Sequence, residues 1–143
     1  LPPGYGPALR AALASPSVSL AAFSLALAPP LPLLWLVEWG ANVRSRRRQL
    51  PYGDQGLGLR RAMFERLGRF APMPFLEDLE LVRRARALGV VRTLPLAATS
   101  SSRKWRAAGV LRNTLNNQLV LAGHALGVPI ARLAVWYRGL TAV

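Results

Sequence analysis

The pattern of apolar and polar positions predicts short helices and strands in alternation. From Val18 to Leu27, larger apolar residues alternate with Ser24 and Ala26, which is typical of a strand. A second strand is predicted from Val90 to Leu94, ending before Pro95. Helical spacing predicts helices over residues 7–14, 57–67 and 77–88, and a further helix after the prolines at 29–32. This order of elements favours an α/β fold.

The longest helical pattern covers residues 105–126. One side of this predicted helix carries four leucines and an alanine, namely Leu111, Leu115, Leu119, Ala122 and Leu126. The other side carries Arg112, Asn113, Asn116 and Asn117. The second half, LVLAGHAL, is apolar nearly all round, so it is expected to be buried in protein or lipid. Another short helix is predicted from Ile130 to Tyr137.

Two segments suit either a protein core or a membrane. Residues 11–37 contain no charge and are long enough to span a bilayer, but prolines interrupt them, so a buried strand and a separate helix are favoured. That helix is apolar and aromatic through Trp39 and then basic from Arg44 to Arg48. Such a pattern suits a helix at a membrane interface, and it also suits a core helix with a solvated basic end.

Composition narrows the chemistry. The 143 residues include 19 Lys and Arg against 6 Asp and Glu, a net charge of +13. This balance predicts attraction to nucleic acid, anionic lipid or a phosphorylated substrate. The chain has no cysteine, which excludes disulfides and cysteine metal sites, and its single His124 is interpreted as structural. No metal-ligating residues are predicted.

Three of the six acids fall together as Glu77, Asp78 and Glu80, at the predicted start of a helix. The loop APMPFLED leads into them, and loops of this kind present reactive groups on a rigid scaffold. Asp78 is therefore the first candidate for a general base, with Glu77 beside it. The alternative is that these acids only stabilise the helix N-terminus.

A second candidate segment is PYGDQG, in which Gly53, Asp54 and Gln55 could bind sugar hydroxyls or a pyrophosphate. A turn capped by its own Asp is the alternative.

The third candidate segment, SSSRKW, places two cations beside an indole. Arg103 and Lys104 could neutralise a diphosphate, and Trp105 offers a flat face to a sugar or an isoprenoid. A solvated helix start with a core tryptophan explains the same residues.

Together these segments resemble family-2 glycosyltransferases of the bacterial "transferase 2" type. In that family a GDQ loop precedes a helix, an ED pair opens the next helix, and an S-x-R-W-like motif follows a strand. The resemblance extends to EWGANVRSR, GVLRNTLNNQL and LGVP, so it spans nearly the whole chain. It implies the C-terminal half of a GT-A, Rossmann-like domain. Residues 1–104 would form its acceptor-side part and residues 105–143 its amphipathic, membrane-associated helices.

The resemblance also implies an activity, the inverting transfer of a sugar from a nucleotide donor to an acceptor hydroxyl. Asp78 would be the base, and Arg103 and Trp105 would lie near the diphosphate and the acceptor. The family uses a D-x-D motif to hold a divalent metal, Mg²⁺ or Mn²⁺, on the donor, and no D-x-D occurs in these 143 residues. We therefore expect this chain to begin just beyond the D-x-D motif of the full domain and to be inactive alone. Gly58 also departs from the family, where a larger apolar residue is usual.

The expected partners are a nucleotide-sugar donor and an acceptor that is lipid-linked or close to a membrane. The expected location is cytoplasmic, with peripheral contact to the anionic inner face of the membrane. Two alternatives stay open at this point: a non-catalytic basic membrane-associated protein and a nucleic-acid-binding module. The half-apolar composition disfavours the second.

Overall fold

The computed structural model describes residues 1–141, with two strands and seven helices in this range. The strands are β1 (Val18–Ala28) and β2 (Val90–Ser101). The helices are α1 (Tyr5–Ala14), α2 (Leu34–Arg48), α3 (Arg61–Arg66), α4 (Glu77–Leu88), α5 (Arg103–Ala108), α6 (Val110–Ala125) and α7 (Ile130–Thr141). A single 3₁₀ turn, Gly53–Gln55, lies between α2 and α3.

The two strands form a parallel sheet, which confirms the α/β class. Parallel neighbours cannot be joined by a tight turn, so α2, α3 and α4 lie in the connection between them. β1 is buried along almost its whole length, because α4 covers one face and α1 packs on the other. The alternation of residue types in β1 therefore does not correspond to one buried face and one solvent-exposed face.

A third apolar cluster lies at the carboxyl end of β1. There Leu25 and Leu27 pack with Leu34 and Ala41 of α2, and Trp105 of α5 packs against them. This cluster joins α2 and α5 to the end of the sheet.

The outer edge of β1, away from β2, is hydrogen-bonded by segments that are not strands. Residues 21, 23, 25 and 27 alternate along β1, so their backbone groups point away from β2. Ala21 exchanges two backbone hydrogen bonds with Gly58, at 2.9 and 2.8 Å. The Gln55 side chain donates to the carbonyl of Phe23 at 2.9 Å.

Helix α2 provides further hydrogen bonds along the outer edge of β1, through two side chains one helical turn apart. Asn42 accepts a hydrogen bond from the N–H of Leu25 at 2.7 Å and donates to the carbonyl of Leu25 at 3.1 Å. Glu38 accepts from the N–H of Leu27 at 2.5 Å. Buried backbone groups left unpaired are costly, so these contacts fix α2 against β1.

The predicted helix over residues 57–67 is wrong in its first part. α3 begins only at Arg61, because Gly58 is paired with Ala21 in extended conformation. Gly56 precedes this pairing with a φ of 65° and turns the chain toward β1.

The predicted end of the second strand at Pro95 is also wrong, since β2 continues to Ser101. Leu94 pairs with Phe23, and the next pair is Ala97 with Ser24, so Pro95 falls in a bulge of the ladder. A bulge accommodates a residue that cannot donate a hydrogen bond.

The single predicted helix over residues 105–126 is two helices, broken at Gly109, whose φ is 80°. The leucines on one side of this pattern are exposed, whereas Asn113 and Asn116 on the other side are buried. Asn113 and Asn117 on that side of α6 line a cleft, which is described below. In α4, Leu79 and Val82 are buried, whereas Leu88 is exposed.

Within residues 1–141 no helix is both long enough and apolar enough to cross a bilayer. The uncharged segment 11–37 contains the end of α1, all of β1 and the start of α2.

We predict that Asn42→Ala destabilises the protein by about 1–3 kcal/mol, because it leaves both backbone groups of buried Leu25 without their partner. The measurement is the free energy of unfolding in urea. Gly40→Ala in the same helix is the control, since an added Cβ meets no atom within 4 Å. That control is expected to gain about 0.5–1 kcal/mol from helix propensity. Equal stability of Asn42→Ala and wild type would contradict the role assigned to this edge.

Candidate functional site: a cleft at the carboxyl ends of the strands

A cleft of about 950 Å³ opens beyond the carboxyl ends of both strands. Leu25 and Leu27 of β1 and Ser100 and Ser101 of β2 form its base, and residues of α2, α4, α5, α6 and α7 form its walls. In open parallel sheets, ligands bind at this end of the strands. Its volume suits a small organic ligand.

The structure brings the three predicted segments together at this cleft. Six of the predicted site residues line it, namely Asp54, Glu77, Asp78, Arg103, Lys104 and Trp105. The other two, Gly53 and Gln55, are not part of its lining, and they hold Asp54 in place from outside the cleft.

The carboxylate of Asp78 connects the 3₁₀ turn to helix α4. Its Oδ2 accepts a hydrogen bond from the N–H of Gly53 at 2.5 Å, and its Oδ1 accepts from the N–H of Leu79 at 2.7 Å. A Cβ at Gly53 would lie 3.0 Å from Oδ2, so a glycine permits this close approach. Leu76, just before α4, adopts a left-handed conformation at φ 62°. Such backbone strain in a non-glycine residue is a frequent feature of functional sites.

Gln55 is fully buried and holds the 3₁₀ turn against β1. Its side-chain amide donates to the carbonyl of Phe23 at 2.9 Å and its carbonyl accepts from the N–H of Tyr52 at 3.2 Å. Gly53 and Gln55, the two neighbours of Asp54 in this turn, are therefore both fixed by hydrogen bonds, and Asp54 extends from the turn into the cleft.

The start of α5 is fixed by Ser102, which is also fully buried. Its hydroxyl donates to the carbonyl of Pro29 at 2.7 Å, and its N–H donates to the carbonyl of Ala28 at 2.9 Å. Arg103 and Lys104 follow directly and are exposed, while Trp105 packs on the cluster at the end of β1. The two cations thus stand at the cleft on an anchored helix start.

Charges of both signs act on Asp54 inside the cleft. Although the residue as a whole is exposed, partial burial of its carboxylate among cleft residues raises its pKa above the ordinary value of 3.8. The positive charge of Arg44 opposes this shift, Asp78 adds to it, and Lys104 opposes it more weakly. The acids of two segments and a cation of the third therefore share one electrostatic environment.

Arg44 and Tyr52 also line the cleft, and neither was among the predicted site residues. The guanidinium of Arg44 stacks over the Tyr52 ring at 3.5 Å from its centroid and donates through Nε to the carbonyl of Leu50. Burial lowers the pKa of Arg44, though an arginine keeps its charge in proteins, and burial raises the pKa of Tyr52. Helical spacing could have found Arg44, since it follows cleft residues Val37 and Ala41 at intervals of four and three.

No local signal in the sequence points to Tyr137 of α7 as a cleft residue. Its ring stacks on Phe75 with centroids 5.7 Å apart and an angle of 6° between the planes. Lys104 Nζ lies 5.9 Å from the centroid of the same ring. These contacts join the last described helix to the loop before α4, across residues distant in sequence.

The cleft combines carboxylates that can accept a proton with cations that can bind an anion. Among residues 1–141 no group of three or more His, Cys, Asp or Glu side chains is gathered to hold a metal ion. The described residues therefore do not fit a metal centre of their own, and we derive no reaction step through a metal.

Comparison of the chain with protein-family models, with curated proteins and with solved structures found no match in any of the three.

We predict that Asp54→Asn stabilises the protein near neutral pH. The folded-state pKa of Asp54 is raised, so the folded protein holds the charged form less readily than the unfolded chain does. Wild-type stability consequently falls as the pH rises from 3.8 through the raised folded-state value, and the variant escapes this loss. Urea unfolding at neutral pH should show a more stable variant, and at a pH well below 3.8 no difference. A variant that is less stable than wild type at neutral pH would contradict this assignment.

Proposed function

We propose that the cleft is the acceptor and leaving-group side of a sugar-transfer site, in a family-2 glycosyltransferase with a GT-A fold. One observation carries the proposal: three segments distant in sequence bring a carboxylate pair, a further acid and a cation pair with an indole to one cleft. The cleft lies at the carboxyl ends of parallel strands, where α/β folds bind ligands.

The reaction is a direct displacement at the anomeric carbon of a nucleotide-sugar donor. The oxygen of the acceptor hydroxyl forms the new bond as the bond from carbon to the diphosphate oxygen breaks, which inverts the configuration. The proton of the hydroxyl passes to the Asp78 carboxylate, and the bonding electron pair leaves with the diphosphate. Arg103 and Lys104 stabilise the negative charge that develops on this leaving group.

The hydrogen bonds of Asp78 are compatible with such a role. Each carboxylate oxygen has two lone-pair sites, and the N–H groups of Gly53 and Leu79 each occupy one. A lone pair therefore remains on each oxygen for an acceptor hydroxyl, and the two fixed bonds orient the carboxylate. Glu77 lines the cleft beside it, and in this proposal its carboxylate accepts a hydrogen bond from a neighbouring hydroxyl of the acceptor.

Aromatic side chains give the cleft faces against which a sugar ring can pack. Trp105 and Tyr52 are half-buried and line the cleft, as do Phe75 and Tyr137. Rings of this kind supply contact area at little cost in conformational entropy.

We predict that Asp78→Asn lowers kcat for sugar transfer by about 10²–10⁴-fold, because the amide cannot accept the proton. The assay follows release of nucleoside diphosphate by the natural gene product that contains this chain, over a panel of nucleotide sugars and hydroxyl acceptors. Glu80→Gln is the matched control, with the same charge change on the same helix. Glu80 is paired with Arg84 at 2.5 Å and is not part of the cleft lining, so its kcat should be unchanged. Equal kcat for Asp78→Asn and wild type would exclude Asp78 as the base.

A second prediction concerns the cations and needs no turnover. Pyrophosphate should bind this chain, and Arg103→Gln should weaken it by about 1.5–3 kcal/mol, the cost of losing a charged hydrogen bond. Isothermal titration calorimetry measures the Kd. Arg66→Gln removes the same charge from an exposed position of α3 outside the cleft, and it should bind as wild type does. If both variants lose affinity equally, the binding reflects only net charge.

A further inference from the structure

Helix α6 turns an apolar side outward. Four leucines on this helix and its end, which we call the leucine face, are largely exposed: Leu111 by 73%, Leu115 by 60%, Leu119 by 45% and Leu126 by 84%. The buried positions on the same helix include Asn113 and Asn116, which are 4% and 7% exposed. A helix that packs on a protein core normally shows the reverse arrangement.

The leucine face is continuous along the helix. Leu111, Leu115 and Leu119 follow one another at intervals of four, so they lie on one side of α6. Ala122 and Ala125 are exposed on the same side. Continuous exposed apolar surface of this kind marks a site where another molecule docks.

Positive charge borders this surface, and negative charge is missing from this part of the sequence. Residues 103–143 contain six Lys and Arg and no Asp or Glu. Arg106 and Arg112 are exposed, and both line a shallow depression of about 430 Å³ together with Leu33 and Leu111. Exposed Leu33 therefore lies beside the start of the leucine face, with two arginines at the same place.

The exposed leucines and the neighbouring arginines together indicate which kind of molecule docks on the leucine face. A second copy of the chain docked face to face would bring two clusters of like charge together, which opposes association. Nucleic acid would meet the arginines but gain little from exposed leucines, because its backbone is charged. An anionic lipid surface matches both features, since leucines enter the boundary of the acyl chains while arginines meet the headgroup phosphates.

We propose that the leucine face docks α6 onto an anionic lipid bilayer, with the helix lying along the interface. The opposite side of α6 contributes Asn113, Asn117 and Leu121 to the cleft. Docking therefore holds the cleft close to the lipid surface. This role stands whether or not the cleft transfers a sugar, and with sugar transfer it would favour acceptors carried by lipids.

The test is flotation of the chain with vesicles of phosphatidylcholine alone or of equal parts phosphatidylcholine and phosphatidylglycerol. The protein should float with the anionic vesicles, and added salt should weaken this binding. Leu111→Ser, Leu115→Ser and Leu119→Ser combined should lower the partition coefficient by about tenfold or more. Arg106→Gln and Arg112→Gln should each lower it by roughly fivefold, while leaving the apolar contact intact.

A matched pair of single substitutions controls for loss of surface leucine in general. Leu119 and Leu88 are both 45% exposed, but only Leu119 belongs to the leucine face. Leu119→Ser should weaken flotation and Leu88→Ser should not. Circular dichroism and pyrophosphate binding verify that each variant is folded.

Three outcomes would overturn the proposal. Flotation of the triple leucine variant at the wild-type level would show that the leucine face is not the contact. If the wild type did not float but formed a dimer in light scattering, and the triple leucine variant were a monomer, the leucine face would be assigned to contact with a second copy of the chain. A wild-type monomer that does not float with anionic vesicles would leave the face to an acidic protein partner.

Discussion

The hydrogen bonds along the outer edge of β1 position the elements around the cleft. A buried strand must have its backbone N–H and C=O groups paired on both sides, and β2 pairs only one side. Among the described residues no third strand lies beside it, and four separate groups pair the other side. They are the backbone of Gly58 and the side chains of Gln55, Asn42 and Glu38. Because each of these groups must reach β1, they determine where α2 and the 3₁₀ turn lie.

The cleft is a consequence of that pairing. The 3₁₀ turn that brings Gln55 to β1 carries Asp54 into the cleft, and the helix that brings Asn42 to β1 carries Arg44 there. The bond between Asp78 and Gly53 then adds α4 to the same group of elements. In the 3₁₀ turn and in α2, residues that stabilise the fold thus alternate with residues that line the cleft. A substitution of a stabilising residue is therefore expected to shift the neighbouring cleft residues.

Helix α6 shows how a cleft lined partly by polar side chains can reverse the usual direction of an amphipathic helix. Asn113, Asn117 and Gln118 line the cleft, and the leucines of α6 face away from the protein. The reversal leaves apolar surface exposed beside arginines and no acids. The two properties that favour a lipid surface therefore follow from which side of α6 the cleft occupies.

Much of the local structure could be predicted because it depends on neighbours in sequence. Apolar spacing and helix ends predict α1, α2, α4 and β1 closely, and Gly–Asp–Gln, Glu–Asp and Arg–Lys–Trp stay predictions as segments that bind or react. The features that were mispredicted depend on distant contacts. Pairing with Ala21 keeps Gly58 out of a helix, and a bulge opposite Phe23 lets β2 pass Pro95.

Residue types and their periodicity indicate most of the elements, the charge and the chemical character of the candidate site residues. The folded chain shows in addition that six of these residues meet in one cleft, that Gln55 is buried beside it, and that Tyr137 belongs to it. It also shows which side of α6 faces inward. The physical reason is that periodicity defines the faces of a helix or strand, whereas the neighbour of each face is set by long-range packing and hydrogen bonding.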